Sequence, residues 1–456
     1  MIKIFDNLKL GRYREESLGF SLSAFEAFKR IYPYSQNMFL LESLGEAGAY
    51  NRFAYAGFDP LFIIEGKVGE LRVNGRSYQT NDPFMELKPL AAKNTLRDGF
   101  CGGLVGFICY EATKLFEKAF KGPDCDDFPL FSFGFYTDGL KFDKRTREVT
   151  YFHHGNSRIR ELRSLLDRSG TLSQFSYKKT GKGKSQKEYQ ENLHKIQEHI
   201  RSGDIFQAVY SLKTRYHIKG DKRRLYGVLR QINPAPYMSY LKFEDKEIIS
   251  ASPELLINIK SNSIEHYGTL AGTIKRGKNE KEDRILAKEI LSDEKEKAEH
   301  LMLVDLARND LGKICKFKSI RVGKLMAVKK LKFVMHLFTE IRGQLRGGED
   351  AFSALSACFP AGTLTGAPKI EAMKIISDME NEARGPYGGV IGYISLNKSS
   401  MFAISIRSIF IKGEHGFTRT GSGIVLDSKA EKEFEEIKNK QKGMEEALKS
   451  ASILSF

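Results

Sequence analysis

After residue 189 the hydrophobic period of the chain switches repeatedly between helix and strand without ever becoming a regular βα repeat. YQENLHKIQEHIRSGDIFQAVYSLKTRYHIKG reads as an amphipathic helix, a glycine turn at Ser202-Gly203-Asp204, and a strand. KFVMHLFTEIRG and MFAISIRSIFIKG alternate with the period of a strand, whereas the stretches near 281–310, 369–382 and 430–450 have helical spacing. This order excludes a doubly wound dinucleotide fold and a TIM barrel, both of which need strand and helix in strict succession. The class expected is α+β with extensive, mostly antiparallel sheet.

A chain of 456 residues is too long for one ordinary core. The clearest seam is polar, lysine-rich and poor in groups to bury, so residues 173–188 are expected as a linker between an N-terminal region, 1–172, and a second region, 189–456. The net charge of +16 is spread along the sequence, with no basic arm and no nucleic-acid motif. Attraction of anionic metabolites is the expected consequence, not nucleic-acid binding. There is no apolar run of membrane-spanning length and no signal-like N-terminus, so a cytoplasmic protein without membrane contact is expected. Cys101, Cys109, Cys125, Cys315 and Cys358 are scattered without metal-ligand spacing and read as reduced thiols.

Several residues stand in patterns that suit chemistry. Glu296 and Glu299, and far downstream Glu433 and Glu436, are i,i+3 pairs on helical stretches, each placing two carboxylates on one face. Two such faces brought together would make an oxygen-rich site for a hard cation, with Mg²⁺ the natural occupant. A lone E-x-x-E is equally an exposed charged face, and Glu296 is alternatively the reciprocal partner of a cap at Asp293. Glu299 precedes the apolar LMLVDLARNDLG, which implies burial and the need for a partner. Ser428 and Glu431 form a capping-box pattern that starts the last helix, putting Glu433, Glu436 and Lys440 on one stripe. Arg407 falls on a strand face with the small Ala403 and Ser405, open to a planar carboxylate. PAGTLTGAPK (360–369) and GSGIVLDS (421–428) are small-residue loops whose amides can face a ligand. Glu254 follows a Pro turn and begins an apolar run that could raise its pKa, while His336 reads by default as a core histidine.

Together these segments resemble the chorismate-utilising enzymes, most closely the family of anthranilate synthase large subunits. The blocks LLES, GGLVGF, GDIFQ, NPAPYM, SPELL, LAGT, DEKEKAEHLMLVDLARNDLG, VMH, PAGTLTGAPK, GPYGGVIGYI, ISIRS and GSGIVLDS occur in family order, densely from about 190 to 442. The resemblance implies a sandwich of large antiparallel sheets surrounded by helices, with residues 1–172 regulatory and intertwined with the catalytic core. It implies conversion of chorismate and ammonia to anthranilate and pyruvate with Mg²⁺. In that scheme Glu299 and Glu436 are metal ligands, supported by Glu296 and Glu433. Arg407 binds a substrate carboxylate with Lys440, Tyr393 and the Gly421, Ser422 and Gly423 segment. Glu254 is the general acid, His336 serves the elimination of pyruvate, and Ala271, Gly272, Thr273 and Thr365 line the ring pocket. Tryptophan inhibition is implied by Leu41, Glu42 and Ser43 together with Pro236, Tyr237 and Met238.

Two positions narrow the activity within the family. Gln207 stands where relatives that add water resemble one another in carrying a lysine base, and Ala271 stands where many aminodeoxychorismate synthases carry a lysine nucleophile. TLAGTIKRG departs from the usual pattern beside the ring pocket. Aminodeoxychorismate or aminodeoxyisochorismate synthesis and an inactive tryptophan-sensing subunit remain the alternatives. The short stretch after the last helix leaves no room for a glutaminase domain, so a hetero-oligomer with a separate glutamine amidotransferase subunit is expected.

Overall fold

The computed structural model describes residues 4–5, 8–44, 52–91, 99–181, 183–266, 269–330 and 334–453. Two large sheets dominate, one of 12 strands and one of 11, with a third of 3 strands formed by Ala271–Lys275, Val334–Phe338 and Ala327–Lys330. Adjacent strands in all three run antiparallel, for example Gln207–Gly220 against His415–Ile424 and Val390–Ser395 against Ser400–Ile404. The expected α+β class with large antiparallel sheets is the class observed.

The two large sheets face each other across an aromatic core. Phe107 and Phe133 of one meet Phe243, Phe410 and Phe417 of the other in a single buried cluster, with the Phe107 and Phe243 rings stacked 6.5 Å apart. Helices Ala24–Ile31, Lys222–Ile232 and Ala430–Ile453 cover the outer face of the 12-stranded sheet through a second cluster that includes Phe28, Tyr226, Tyr240 and Leu448. Strands covered on both faces lose the apolar–polar alternation of a half-exposed sheet, which is why FSFGFY and VIGYIS are continuously buried.

Segments from both ends of the chain interleave within each sheet. Strand Asn37–Glu42 lies between Phe53–Phe58 and Tyr237–Phe243, and Gly103–Ile108 lies between Phe131–Tyr136 and Val390–Ser395. Residues 173–188, expected as a linker, instead carry strand Phe175–Thr180, paired in register with Arg215–Gly220. Backbone pairing holds this lysine-rich stretch on a sheet edge, where its charged side chains remain solvated. Ser185 then closes a capping box with Glu188 and starts helix Gln186–Arg201.

Candidate active site

The site lies where the chain twice crosses between the large sheets. Strand Lys246–Ser252 belongs to the first, and after Pro253 and Glu254 the chain enters the second as Leu255–Lys260. The return crossing runs from Ser400–Ile404 through Ser405, Ile406 and Arg407 to Ser408–Lys412. The crossings are bonded together: the Ile404 N–H donates to the Glu254 carbonyl at 3.0 Å and the Ala251 N–H to the Arg407 carbonyl at 3.1 Å. Arg407 therefore does not continue an even strand with Ala403 and Ser405, as the sequence period suggests. Its φ of +53° is left-handed, because the chain must bend there to change sheets.

Glu254 is 4% exposed, and its carboxyl accepts hydrogen bonds from the Thr363 hydroxyl at 3.2 Å and the Leu270 N–H at 3.4 Å. Burial pushes its pKa up to about 8, against the partial opposition of these donors and of Lys329 and Lys440. A carboxyl that keeps its proton at neutral pH is suited to donate it. Thr363 projects from the short helical turn Gly362–Leu364 of PAGTLTGAPK. Thr365, expected to line the ring pocket, instead donates its hydroxyl to the Ala361 carbonyl at 3.0 Å and shapes that loop.

Each carboxylate pair lies on one helix, as the i,i+3 spacing requires, and the two helices are near enough for Glu436 to act on the other three carboxyls. Helix Glu294–Gly312 carries Glu296 and Glu299, and helix Ala430–Ile453 carries Glu433 and Glu436. Burial raises the pKa of Glu296, Glu299 and Glu433, and the negative charge of Glu436 acts on all three. Asp293 caps the first helix through the N–H groups of Lys295 and Glu296, while the Glu296 carboxyl lies over Gly272, where a Cβ would come within 2.8 Å of it. The last helix begins at Ala430, two residues later than expected, and the Ser428 hydroxyl donates to Glu433 at 2.9 Å instead of closing a capping box with Glu431. Mutually repelling carboxylates in partial burial favour a cation among them. Among the described residues no three acidic, histidine or cysteine side chains form a ready cage. Mg²⁺ needs only one or two protein carboxylates, its remaining positions being filled by water and ligand oxygens, and the mutually acting Glu299 and Glu436 could supply two. The donor set thus fits the ion.

Around this cluster stand the remaining polar groups. Gln207 opens strand Gln207–Gly220, and its amide N–H donates to Glu299 at 2.6 Å while its carbonyl oxygen is buried without a partner among the described residues. A Cβ at Gly423 would come 2.5 Å from the Gln207 amide nitrogen, so a side chain there would displace that amide. Ser422 is buried against the Tyr189 hydroxyl at 2.9 Å. Lys440 pairs with Glu436 at 2.5 Å and donates to the Gly421 carbonyl at 3.1 Å, while the Arg407 guanidinium donates to the Lys440 carbonyl at 2.8 Å. His336 donates from Nδ1 to the Gly272 carbonyl at 2.8 Å, and burial lowers its pKa to about 4, which keeps it neutral. Ala271 and Thr273 occupy the strand facing His336, with side chains outside the described residues.

Tyr393 is not beside Arg407. It packs on Phe100 at 5.3 Å and lines a separate cavity between the sheets. The tyrosine electrostatically coupled to Arg407 is Tyr387, whose hydroxyl would lie 3.1 Å from a Cβ on Gly421. Both tyrosines occur in GPYGGVIGYI, and only the fold distinguishes them. Thr363 and Tyr387 are the additions that spacing alone did not rank.

The separate cavity, of about 340 Å³, is lined by all six residues expected to bind tryptophan, Leu41, Glu42, Ser43, Pro236, Tyr237 and Met238, along with Tyr393, Met401 and Ala403 from the opposite sheet. Glu42 is held by Arg230 at 2.6 Å and by the Tyr226 hydroxyl at 2.8 Å. The Ser43 hydroxyl is buried without a hydrogen-bond partner among the described residues.

A buried acid and a guanidinium at the sheet crossings of a two-sheet α+β core, with carboxylate pairs on two neighbouring helices, make up the candidate site. The chain belongs to the chorismate binding enzyme family, whose model matches residues 37–446. It is 39% identical over 454 residues to anthranilate synthase component 1 of Methanothermobacter marburgensis, covering 99% of this chain and 98% of that relative. It is 34% identical to aminodeoxychorismate synthase component 1 of Bacillus subtilis, covering 93% and 94%. The solved anthranilate synthase component I of Streptococcus pneumoniae superposes with a TM-score of 0.77 at 32% identity, over 87% of this chain and 93% of that one. Among the described residues no helix is long and apolar enough to cross a membrane.

Proposed function

We propose that this chain is the chorismate-converting component of an anthranilate synthase, a Mg²⁺-dependent lyase that forms anthranilate and pyruvate from chorismate and ammonia. The observation that carries the choice of nucleophile is Gln207 bound to Glu299. An amide cannot deprotonate water, whereas ammonia attacks without a base. Glu254, protonated at neutral pH, gives its proton to the departing C4 hydroxyl as ammonia adds at C2, so that water leaves. Neutral His336 then serves loss of the C2 proton with departure of pyruvate. Arg407, with Lys440 and Tyr387 beside it, binds and orients a substrate carboxylate. Glu299 and Glu436, with Glu296 and Glu433, would hold Mg²⁺, which when bound offsets the charge of a substrate carboxylate. A glutamine amidotransferase subunit supplies the ammonia, in keeping with relatives named as component 1 of an assembly.

Incubating the purified chain with chorismate, Mg²⁺ and ammonium is expected to yield fluorescent anthranilate and pyruvate. Accumulation of 4-amino-4-deoxychorismate would instead assign the activity named for the Bacillus relative, and isochorismate would overturn amination altogether. Glu299→Gln is expected to weaken Mg²⁺ binding, read by calorimetry in the presence of chorismate, by at least about tenfold. Unchanged affinity would remove Glu299 from the ligand set.

Tryptophan is the proposed inhibitor at the inter-sheet cavity, where an indole-sized ligand would gain an apolar wall and the Ser43 hydroxyl a partner. Ser43→Ala is expected to raise the tryptophan concentration for half-inhibition about tenfold, the value of one buried hydrogen bond. An unchanged inhibition curve would place the regulatory ligand elsewhere.

A further inference from the structure

The small sheet brings a lysine to the catalytic pocket that no sequence pattern marks. In strand Ala327–Lys330, Lys329 lies directly opposite His336 in the antiparallel pair, so the two side chains share one face. From that face the Lys329 charge acts on both His336 and Glu254. The next residue, Lys330, points the other way, is exposed, and pairs with Asp283 at 3.5 Å. Lys329 is half-buried, its ammonium 5.2 Å from the centre of the Phe338 ring, and it forms no ion pair among the described residues.

The other cations of the site lie along the last helix. Lys440 is paired with Glu436, and the Arg407 guanidinium bonds the Lys440 carbonyl. The nearby carboxyl, Glu254, holds its proton at neutral pH and so does not neutralise Lys329. A partly desolvated ammonium without a counter-charge is costly unless an anion completes it. Chorismate bears two carboxylates, one on the ring and one on the enolpyruvyl arm; beside the cation of the glutamate cluster and Arg407, Lys329 offers a further cationic contact from the opposite, small-sheet side.

We propose that Lys329 is a substrate-binding residue, its ammonium holding one carboxylate of the dianionic substrate on the side of the pocket that contains Glu254 and His336. This rests on the chorismate reading above. The test is steady-state kinetics of the full chain with chorismate, ammonium and Mg²⁺, comparing wild type with Lys329→Met, Lys329→Arg and, as a surface control, Lys330→Met. Lys329→Met is expected to raise KM for chorismate about 10- to 100-fold with a smaller change in kcat, Lys329→Arg to recover most of the loss, and Lys330→Met to behave as wild type.

A second readout separates binding from folding. The charges facing Glu254 are Lys329 from the small sheet and Lys440 from the last helix, and both favour its ionised form. Removing Lys329 is therefore expected to raise the Glu254 pKa and move the alkaline limb of kcat/KM to higher pH. An unchanged KM and unchanged limb in a folded Lys329→Met protein would overturn the proposal. Loss of anthranilate formation by wild type itself would instead overturn the functional reading on which it rests.

Discussion

Glu254→Gln is expected to lower anthranilate formation about 10²- to 10⁴-fold, the usual contribution of a positioned general acid, with little change in chorismate affinity. The amide keeps the size of the carboxyl and can still meet the Thr363 hydroxyl, so the fold is expected to survive. The pH behaviour separates this role from a structural one. Wild-type kcat/KM should fall as pH rises through about 8, where Glu254 loses its proton, and the residual activity of the variant should lack that limb. Stability gives an independent sign. The native carboxyl is protonated up to about 8 whereas the unfolded one ionises near its ordinary value of 4.5, so the native state binds more protons between those limits. Unfolding free energy at this site therefore declines as pH rises across that window. Glu254→Gln removes the decline, and the stability of the variant relative to wild type should increase from about pH 4.5 to about pH 8 in urea titrations. A variant with near-normal turnover, or with the same alkaline limb, would exclude Glu254 as the proton donor.

The largest stability effect is expected at Arg384, whose guanidinium lies 5.7 Å from the centre of the Tyr387 ring but whose hydrogen bonds go to the scaffold behind the site. It is 1% exposed and salt-bridged to buried Glu380 at 2.7 Å. Its guanidinium also donates to the Leu364 carbonyl and to the Val209 carbonyl, each at 2.6 Å. It thereby ties the Thr363 loop to the strand that begins at Gln207. Arg419 joins the same carboxylate at 3.2 Å, while Glu111, from the N-terminal region, accepts from the Arg384 and Gly385 N–H groups at 2.7 and 3.0 Å. Arg384→Met leaves buried acceptors unpaired and should cost about 3–5 kcal/mol in urea denaturation. The double variant Glu380→Leu/Arg384→Met should lose less than the sum of the single changes, since neither member of this pair is then left without the other and Arg419 keeps Glu382 at 3.4 Å. A loss below about 1 kcal/mol for Arg384→Met would show that Arg419 and solvent compensate the pair.

The i,i+3 spacing of Glu296 with Glu299 and Glu433 with Glu436 assigned each pair to one helix face, because helical geometry is local and 3.6 residues make a turn. Period and turn residues likewise gave the helix from Tyr189 onward, the strand after it, and the antiparallel class. The ordered motifs carried the family. The linker at 173–188 was misread because composition reports what a segment can bury and not which backbone edge is free to pair with it.

The placement of Arg407 in a left-handed bend, the choice of Tyr387 over Tyr393, the work of Thr363 at Glu254, and the position of Lys329 beside His336 were decided by tertiary structure alone. The physical reason is common to all four. Periodicity and propensity are properties of neighbours along the chain, whereas these positions depend on where the chain leaves one sheet for another and on which strand then lies alongside. Some are pairings between segments more than a hundred residues apart, such as Ala251 with Arg407 and Glu254 with Ile404, and others, such as Lys329 opposite His336, are set by a strand register that no local pattern records.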